Sequence, residues 1–178
     1  MITVVLSSNF LQVQSCLPNG VQILAVSKGH PASSIRQLAS IGQCEFGESR
    51  LQEALPKLQD LKDLTDLRWH FIGRLQSNKV RGVVKAFDVI HSVDSIGLAR
   101  KISRIASEEI RSPEIMLQVK LREDPSKAGF SYEGLLENWS ELSALQDINI
   151  LGLMTIAPID LGKDQRRMLF NDCRLLAN

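Results

Sequence analysis

The sequence is poor in the features that announce a function outright. Cysteine occurs three times, at Cys16, Cys44 and Cys173. An odd number of widely spaced thiols makes neither a disulfide framework nor a zinc-ligand pattern, and it suits a reducing cytosol. Aromatic residues make up 5% of the chain, too few for a base-stacking platform. Lysine and arginine number 21 against 20 aspartate and glutamate, a formal net charge of +1. No bulk electrostatic attraction to nucleic acid or to a membrane follows from that balance. No apolar run reaches the roughly 18 residues needed to cross a bilayer. The opening run Met1-Ile2-Thr3-Val4-Val5-Leu6 has no basic flank and no long apolar stretch, so it makes a poor signal peptide. GxGxxG, a P-loop, a serine nucleophile elbow and HExxH are all absent. No low-complexity stretch marks a linker, so residues 1–178 read as a single domain.

What is present is a repeat of short apolar runs and longer amphipathic stretches. The apolar fraction is 44% and the charged fraction 23%, enough for a sizeable core in an ordinary globular chain. The runs 23–27, 44–46, 69–72, 87–91, 115–119 and 148–154 predict strands. The stretches 31–41, 48–61, 77–86, 95–110, 132–145 and 164–176 carry apolar residues at helical spacing, as Leu98, Ile102, Ile105 and Ala106 illustrate. Local punctuation agrees. Pro31 suits a first helical turn. Asp94 or Ser95 can cap the helix that follows the fourth strand. Ser131 is a predicted N-cap, with Phe130 and Leu135 placed for a hydrophobic staple. Near-continuous apolar strands alternating with helices predict an α/β fold with a parallel sheet.

A doubly wound nucleotide-binding sheet should carry a glycine-rich turn after its first strand. Ser27-Lys28-Gly29-His30-Pro31 has no such pattern. A TIM (β/α)8-type barrel instead places reactive groups at the C-terminal ends of several strands. Lys28, Glu48 and Ser49, Arg74 and Gln76, His91 and Ser92, Lys120 and Thr155 all fall there. The barrel is the preferred reading.

Lys28 is the most informative of these residues. If buried at a strand end, a lysine amine is driven toward its neutral form. That form condenses with a carbonyl compound such as pyridoxal phosphate. The competing reading is an ammonium that snorkels to solvent, and the run 23–28 by itself favours it. Gly73 permits a sharp exit from the third strand, and Ser77 can cap the next helix and turn its N–H groups toward an anion. His70 and His91 read as hydrogen-bonded core or rim histidines, because no ligand spacing surrounds them. Cys44 reads as an inert core thiol, and the charges from Arg100 to Arg111 as a solvated helix face. The loop 124–130 either closes over a ligand or simply turns at Asp124-Pro125.

Taken together, several segments resemble the YggS/PROSC family, the pyridoxal phosphate homeostasis proteins. They are Ala25-Val26-Ser27-Lys28, Phe46-Gly47-Glu48 with Gln52-Glu53-Ala54, and Trp69-His70-Phe71-Ile72-Gly73 running into Leu75-Gln76-Ser77-Asn78-Lys79. Further along come Ile90-His91-Ser92-Val93-Asp94, Ser126-Lys127 with Gly129-Phe130, and Gly152-Leu153-Met154-Thr155. The resemblance implies a TIM barrel similar to the alanine racemase N-terminal domain, with Lys28 holding pyridoxal 5′-phosphate (PLP) as an internal aldimine. It implies that Ser49, Ile72, Ser92 and Met154 line the cofactor pocket, Ile72 and Met154 against the ring and the two serines within hydrogen-bonding reach. It further implies a cytoplasmic, monomeric protein of PLP homeostasis and amino-acid and keto-acid balance, without established turnover, and with PLP-dependent apoenzymes as recipients. A racemase-like enzyme is the alternative, and an aldolase-like lysine enzyme without cofactor is a third reading.

Two departures from the family pattern stand out. Asn-Tyr after Phe-Gly-Glu is replaced by Ser49-Arg50. The Ser-x-Gly-Met-Ser and Arg-Ile-Gly segments that help hold the phosphate in the family have no counterpart. Six strand–helix units are visible where a closed barrel has eight, so the sequence is expected to be part of a longer protein.

Overall fold

The computed structural model describes residues 2–122, 124 and 128–178, the first three as backbone only. The chain forms two compact units, residues 1–72 and 73–178.

In the first unit α1 (Ile2–Ser15), β1 (Ala25–Val26), α2 (Ala32–Ala39), β2 (Glu45–Glu48), α3 (Leu51–Asp60) and β3 (Arg68–Phe71) follow one another. The three strands are parallel, with Val26 level with Gly47 and Gly47 level with His70. β1 is shorter than its apolar run, and ahead of it the carbonyl of Ile23 is met by a side chain. The buried amide of Gln43 donates to Ile23 O at 2.8 Å and to Glu45 O at 2.6 Å. Phe46, Trp69, Ile35 and Ala54 make the core, and Phe46 and Trp69 stack in tilted fashion with ring centroids 6.2 Å apart.

The second unit begins with a 3-10 turn (Ser77–Lys79) leading into α4 (Val80–Ala86). It continues through β4 (Val89–Val93), α5 (Ile96–Glu108), β5 (Glu114–Gln118), α6 (Tyr132–Ala144), β6 (Asn149–Met154) and α7 (Lys163–Leu176). β4, β5 and β6 are parallel in that order. Val84, Phe87, Ile90, Ile102, Ile115 and Leu117 are removed from solvent. Ser95 caps α5 by accepting from the Leu98 amide, and Ser131 caps α6 by accepting from Gly134 N at 3.0 Å. Phe130 and Leu135 flank that second cap and are both buried, as a staple requires.

Every predicted strand and helix is found, with ends displaced by up to three residues. Three expectations fail. α1 was not expected, because Val5, Leu11 and Val13 stay exposed and no clean apolar stripe marks it. Ser77 caps nothing; it begins the 3-10 turn, and no side chain caps that turn or α4. Cys44 is exposed and precedes β2, with Sγ 3.6 Å from Gly42 O, so it is no core thiol. Of the 124–130 loop, Pro125, Ser126 and Lys127 lie outside the described residues, and the Ser126-Lys127 motif with them.

Beyond β5 the chain returns to pair with it. Lys120 N donates to Phe130 O at 2.9 Å and Phe130 N to Gln118 O at 2.8 Å. Gly129 makes this return possible. Its φ is +144°, and a Cβ there would lie 2.9 Å from Lys120 N and 3.0 Å from Gln118 O. Gly129→Ala is therefore expected to lower stability by at least about 2 kcal/mol, read by urea denaturation. A loss below about 0.5 kcal/mol would show that the backbone yields here.

Candidate functional site

The first unit brings the predicted residues Lys28, Ser49 and Ile72 to one level. Val26, Gly47 and His70 share a rank across the three strands. Each of the three candidates lies two residues further on, just past its strand's C-terminal end. The ladder continues beyond the strands to support them. Ser27 N donates to Gly47 O, and Ile72 N to Glu48 O, both at 2.9 Å. Gly47 lies in van der Waals contact with its surroundings: a Cβ there would sit 3.4 Å from side-chain atoms of Ile72 and Leu24.

Lys28 rides on a tight turn. His30 N donates to Ser27 O at 3.0 Å, and Gly29 has φ +75°. A closing bond with a left-handed third residue is the pattern of a type II turn, which asks for glycine at that position. Lys28 is thus the second residue of the turn and its side chain is exposed. Among the described residues its amine has no hydrogen-bond or ion-pair partner. Of the two readings of Lys28, a buried amine and one that reaches solvent, the structure shows the second; the buried lysine at this end of the unit is Lys57.

Lys57 is the residue that sequence reading missed. It lies on α3 with its side chain 10% exposed, and Nζ is 2.7 Å from Glu48 Oε1, whose side chain is 0% exposed. It also donates to Ser27 O at 3.0 Å and approaches Glu53 Oε1 at 3.3 Å. Ser27 Oγ donates to the same Glu48 oxygen at 2.7 Å, while Glu48 Oε2 has no hydrogen-bond partner among the described residues. Glu53 Oε1 in turn accepts the Gly29 amide. A signal was available: Ala54 and Lys57 fall on the buried stripe of α3, and Leu61 just past its end is buried too; a lysine on such a stripe demands partners. The Glu53 carboxyl is held below the usual carboxylate range, first by the Gly29 amide and then by Lys57.

The other candidates are less exposed to chemistry. Ser92 is buried in β4 and its hydroxyl donates to Gly73 O at 2.5 Å, which leaves only acceptor capacity at Oγ. Met154 ends β6 and is half-buried. Thr155 beside it donates to Val119 O at 3.0 Å. His70 is buried against the Glu45 carboxylate, in keeping with a structural histidine. Among the described residues no group of three or more potential metal ligands occurs, and no helix is long and apolar enough to cross a membrane.

Comparison with known proteins gives a consistent picture. The family model for the alanine racemase N-terminal domain matches residues 5–171. A pyridoxal phosphate homeostasis protein of Synechocystis is 42% identical over 170 residues, covering 96% of this chain and 78% of that protein. The protein of that name in Escherichia coli K12 is 36% identical over 141 residues, covering 78% of this chain and 60% of its own length. PipY of Synechococcus elongatus PCC7942, solved with PLP bound, superposes with a TM-score of 0.91 at 47% identity, over 97% of this chain and 80% of PipY. Alanine racemase of Clostridium difficile superposes with a TM-score of 0.78 at 20% identity, over 96% of this chain and 45% of that one. That distant match shows the fold alone, the TIM-barrel type of the alanine racemase N-terminal domain.

Two outcomes follow from the charge cluster. Lys57→Ala leaves the Glu48 carboxylate buried without its cation, and a loss of about 3–5 kcal/mol is expected in denaturant titration. Replacing both partners with apolar residues, Lys57→Met with Glu48→Leu, should recover most of it; no recovery would mean that packing, not charge, sets the cost. The second outcome concerns pH. A carboxyl with a lowered folded pKa stabilises fully above its unfolded pKa and loses that contribution as pH falls through the folded value. The Gly29 amide should therefore stay protected from exchange below the pH at which a free glutamate is half protonated. Loss of protection at the ordinary glutamate midpoint would contradict the assignment.

Proposed function

The chain belongs to the family of pyridoxal phosphate homeostasis proteins, and on that premise we propose that it binds PLP through Lys28 and serves in the balance of that cofactor and of amino and keto acids, without substrate turnover. The observation that carries the reading is the placement of Lys28. Its exposed amine stands at a pinned strand-end turn, level with Ser49 and Ile72. This occurs in a chain 47% identical to a protein solved with PLP bound.

The residues present fit the group. When bound, PLP supplies an aldehyde and an electron-withdrawing ring. Lys28 Nζ would hold the group by condensing with that aldehyde, with release of one water. Ile72 offers an apolar surface for the ring, and Ser49 a hydroxyl one residue past the buried Glu48. Ser92 and Met154 of the second unit belong to the same proposal, Ser92 as an acceptor and Met154 as an apolar contact.

Racemisation of an amino acid would require a second acid/base group on the opposite ring face. The chain has one tyrosine, Tyr132, exposed at the first turn of α6. The reading of binding without turnover is supported by the relatives, which are homeostasis proteins by name. Delivery to apoenzymes, a monomeric state, a cytoplasmic location and a single domain over residues 1–178 are parts of the same reading. The widely separated free cysteines support the location.

The test is an absorption spectrum of the protein mixed with PLP. A near-violet band is expected in the parent protein and not in Lys28→Ala; a band that survives the substitution would remove Lys28 from the site. A parallel assay with D- and L-alanine should show no interconversion. Racemisation that disappears in Lys28→Ala would replace the homeostasis reading with an enzyme.

A further inference from the structure

We propose that Glu53 is a positioning residue for Lys28: by accepting the Gly29 amide it locks the turn that presents the amine, with Lys57 bracing it. The inference rests on the cofactor-binding reading of Lys28.

The two peptide units flanking Lys28 are both held by α3. On the N-terminal side, Lys57 Nζ donates to Ser27 O at 3.0 Å, beside the closing bond from His30 N at 3.0 Å. On the C-terminal side, the Gly29 amide donates to Glu53 Oε1. Glu53 and Lys57 are themselves an i,i+4 pair, 3.3 Å apart. One turn of α3, from Glu53 to Lys57, thus spans both ends of the Lys28 backbone.

The turn needs this clamp for a physical reason. The central peptide of a β-turn, here Lys28–Gly29, can rotate as a unit between the type II and type I arrangements. That rotation reverses the Gly29 N–H and changes the sign of φ at the third residue. A larger residue there would resist one of the two states, but glycine accepts both. The residue that permits the observed φ of +75° therefore also permits the flip. A carboxylate fixed opposite the amide favours one orientation, since only that orientation points N–H at it. Ordering the turn before the cofactor arrives removes a cost otherwise charged to binding. Glu53 touches the backbone beside Lys28 and not its amine, so its effect runs through position.

The experiment compares the parent protein with Glu53→Ala and Glu53→Gln. PLP affinity is read from the near-violet band, and Gly29 amide exchange by NMR without cofactor. Glu53→Ala is expected to weaken PLP binding about tenfold and to speed Gly29 exchange at least about tenfold. Glu53→Gln keeps an acceptor oxygen and should stay within about threefold of the parent in both. The side chain of Glu53 is 30% exposed, so both variants should fold, and a thermal melt checks this. Parent-like affinity in Glu53→Ala would overturn the proposal while leaving the cofactor reading intact. Equal losses in Ala and Gln would also overturn it, because charge and not the amide acceptor would then be at work. Absence of a band in the parent protein would instead overturn the cofactor reading, and this inference with it.

Discussion

A buried ammonium organises the strand ends of the first unit. Lys57 has left water for a position beside a fully buried carboxylate, Glu48. Desolvating two such ions costs more than their attraction returns unless further hydrogen bonds are supplied. The first unit supplies them from the segments that matter. Ser27 contributes its carbonyl to Lys57 and its hydroxyl to Glu48, and Glu53 adds a second carboxylate. The end of β1, the end of β2 and the second turn of α3 are thereby tied to one charge.

This arrangement separates two tasks that a lysine can perform. Lys57 is buried, paired and structural. Lys28 is exposed on a turn and free of partners among the described residues. A reactive amine must be reachable, and it must not be committed to an ion pair that would hold it protonated. With the ion pair assigned to Lys57, the Lys28 amine stays reachable and uncommitted among the described residues. This division also places the tolerance for substitution unequally: the buried pair is sensitive to loss of one partner, whereas the exposed amine carries little of the fold.

Much of this was legible in the sequence. Six apolar runs and the amphipathic stretches between them mark the strands and helices, because a buried parallel strand must be apolar throughout and its covering helix on one side only. Ser95 and Ser131 were readable as caps from position alone. Lys28, Ser49 and Ser92 were readable as strand-end residues once the strands were placed, whereas Ile72 and Met154 were singled out only by the family resemblance. α1 was not legible, since its apolar residues are not segregated to a face. Cys44 was misread because one residue separates a strand interior from its exposed approach. The short β1 was misread because its apolar run extends beyond the two residues, Ala25 and Val26, that form the strand.

What the sequence determined by itself is the alternation of strands and helices, and the placing of Lys28 at a strand end. Those follow from local periodicity and from chain order, which a single sequence records. What only the tertiary structure decided is which lysine is buried. Lys28 and Lys57 lie 29 positions apart; helical spacing hints that Lys57 falls on the buried stripe of α3, but which groups surround either amine is not written in the local sequence. The difference arises when α3 packs against the ends of β1 and β2 and brings Glu48, Glu53 and the Ser27 carbonyl within 3.3 Å of one ammonium. Charge burial is a property of neighbours, and neighbours exist only in the fold.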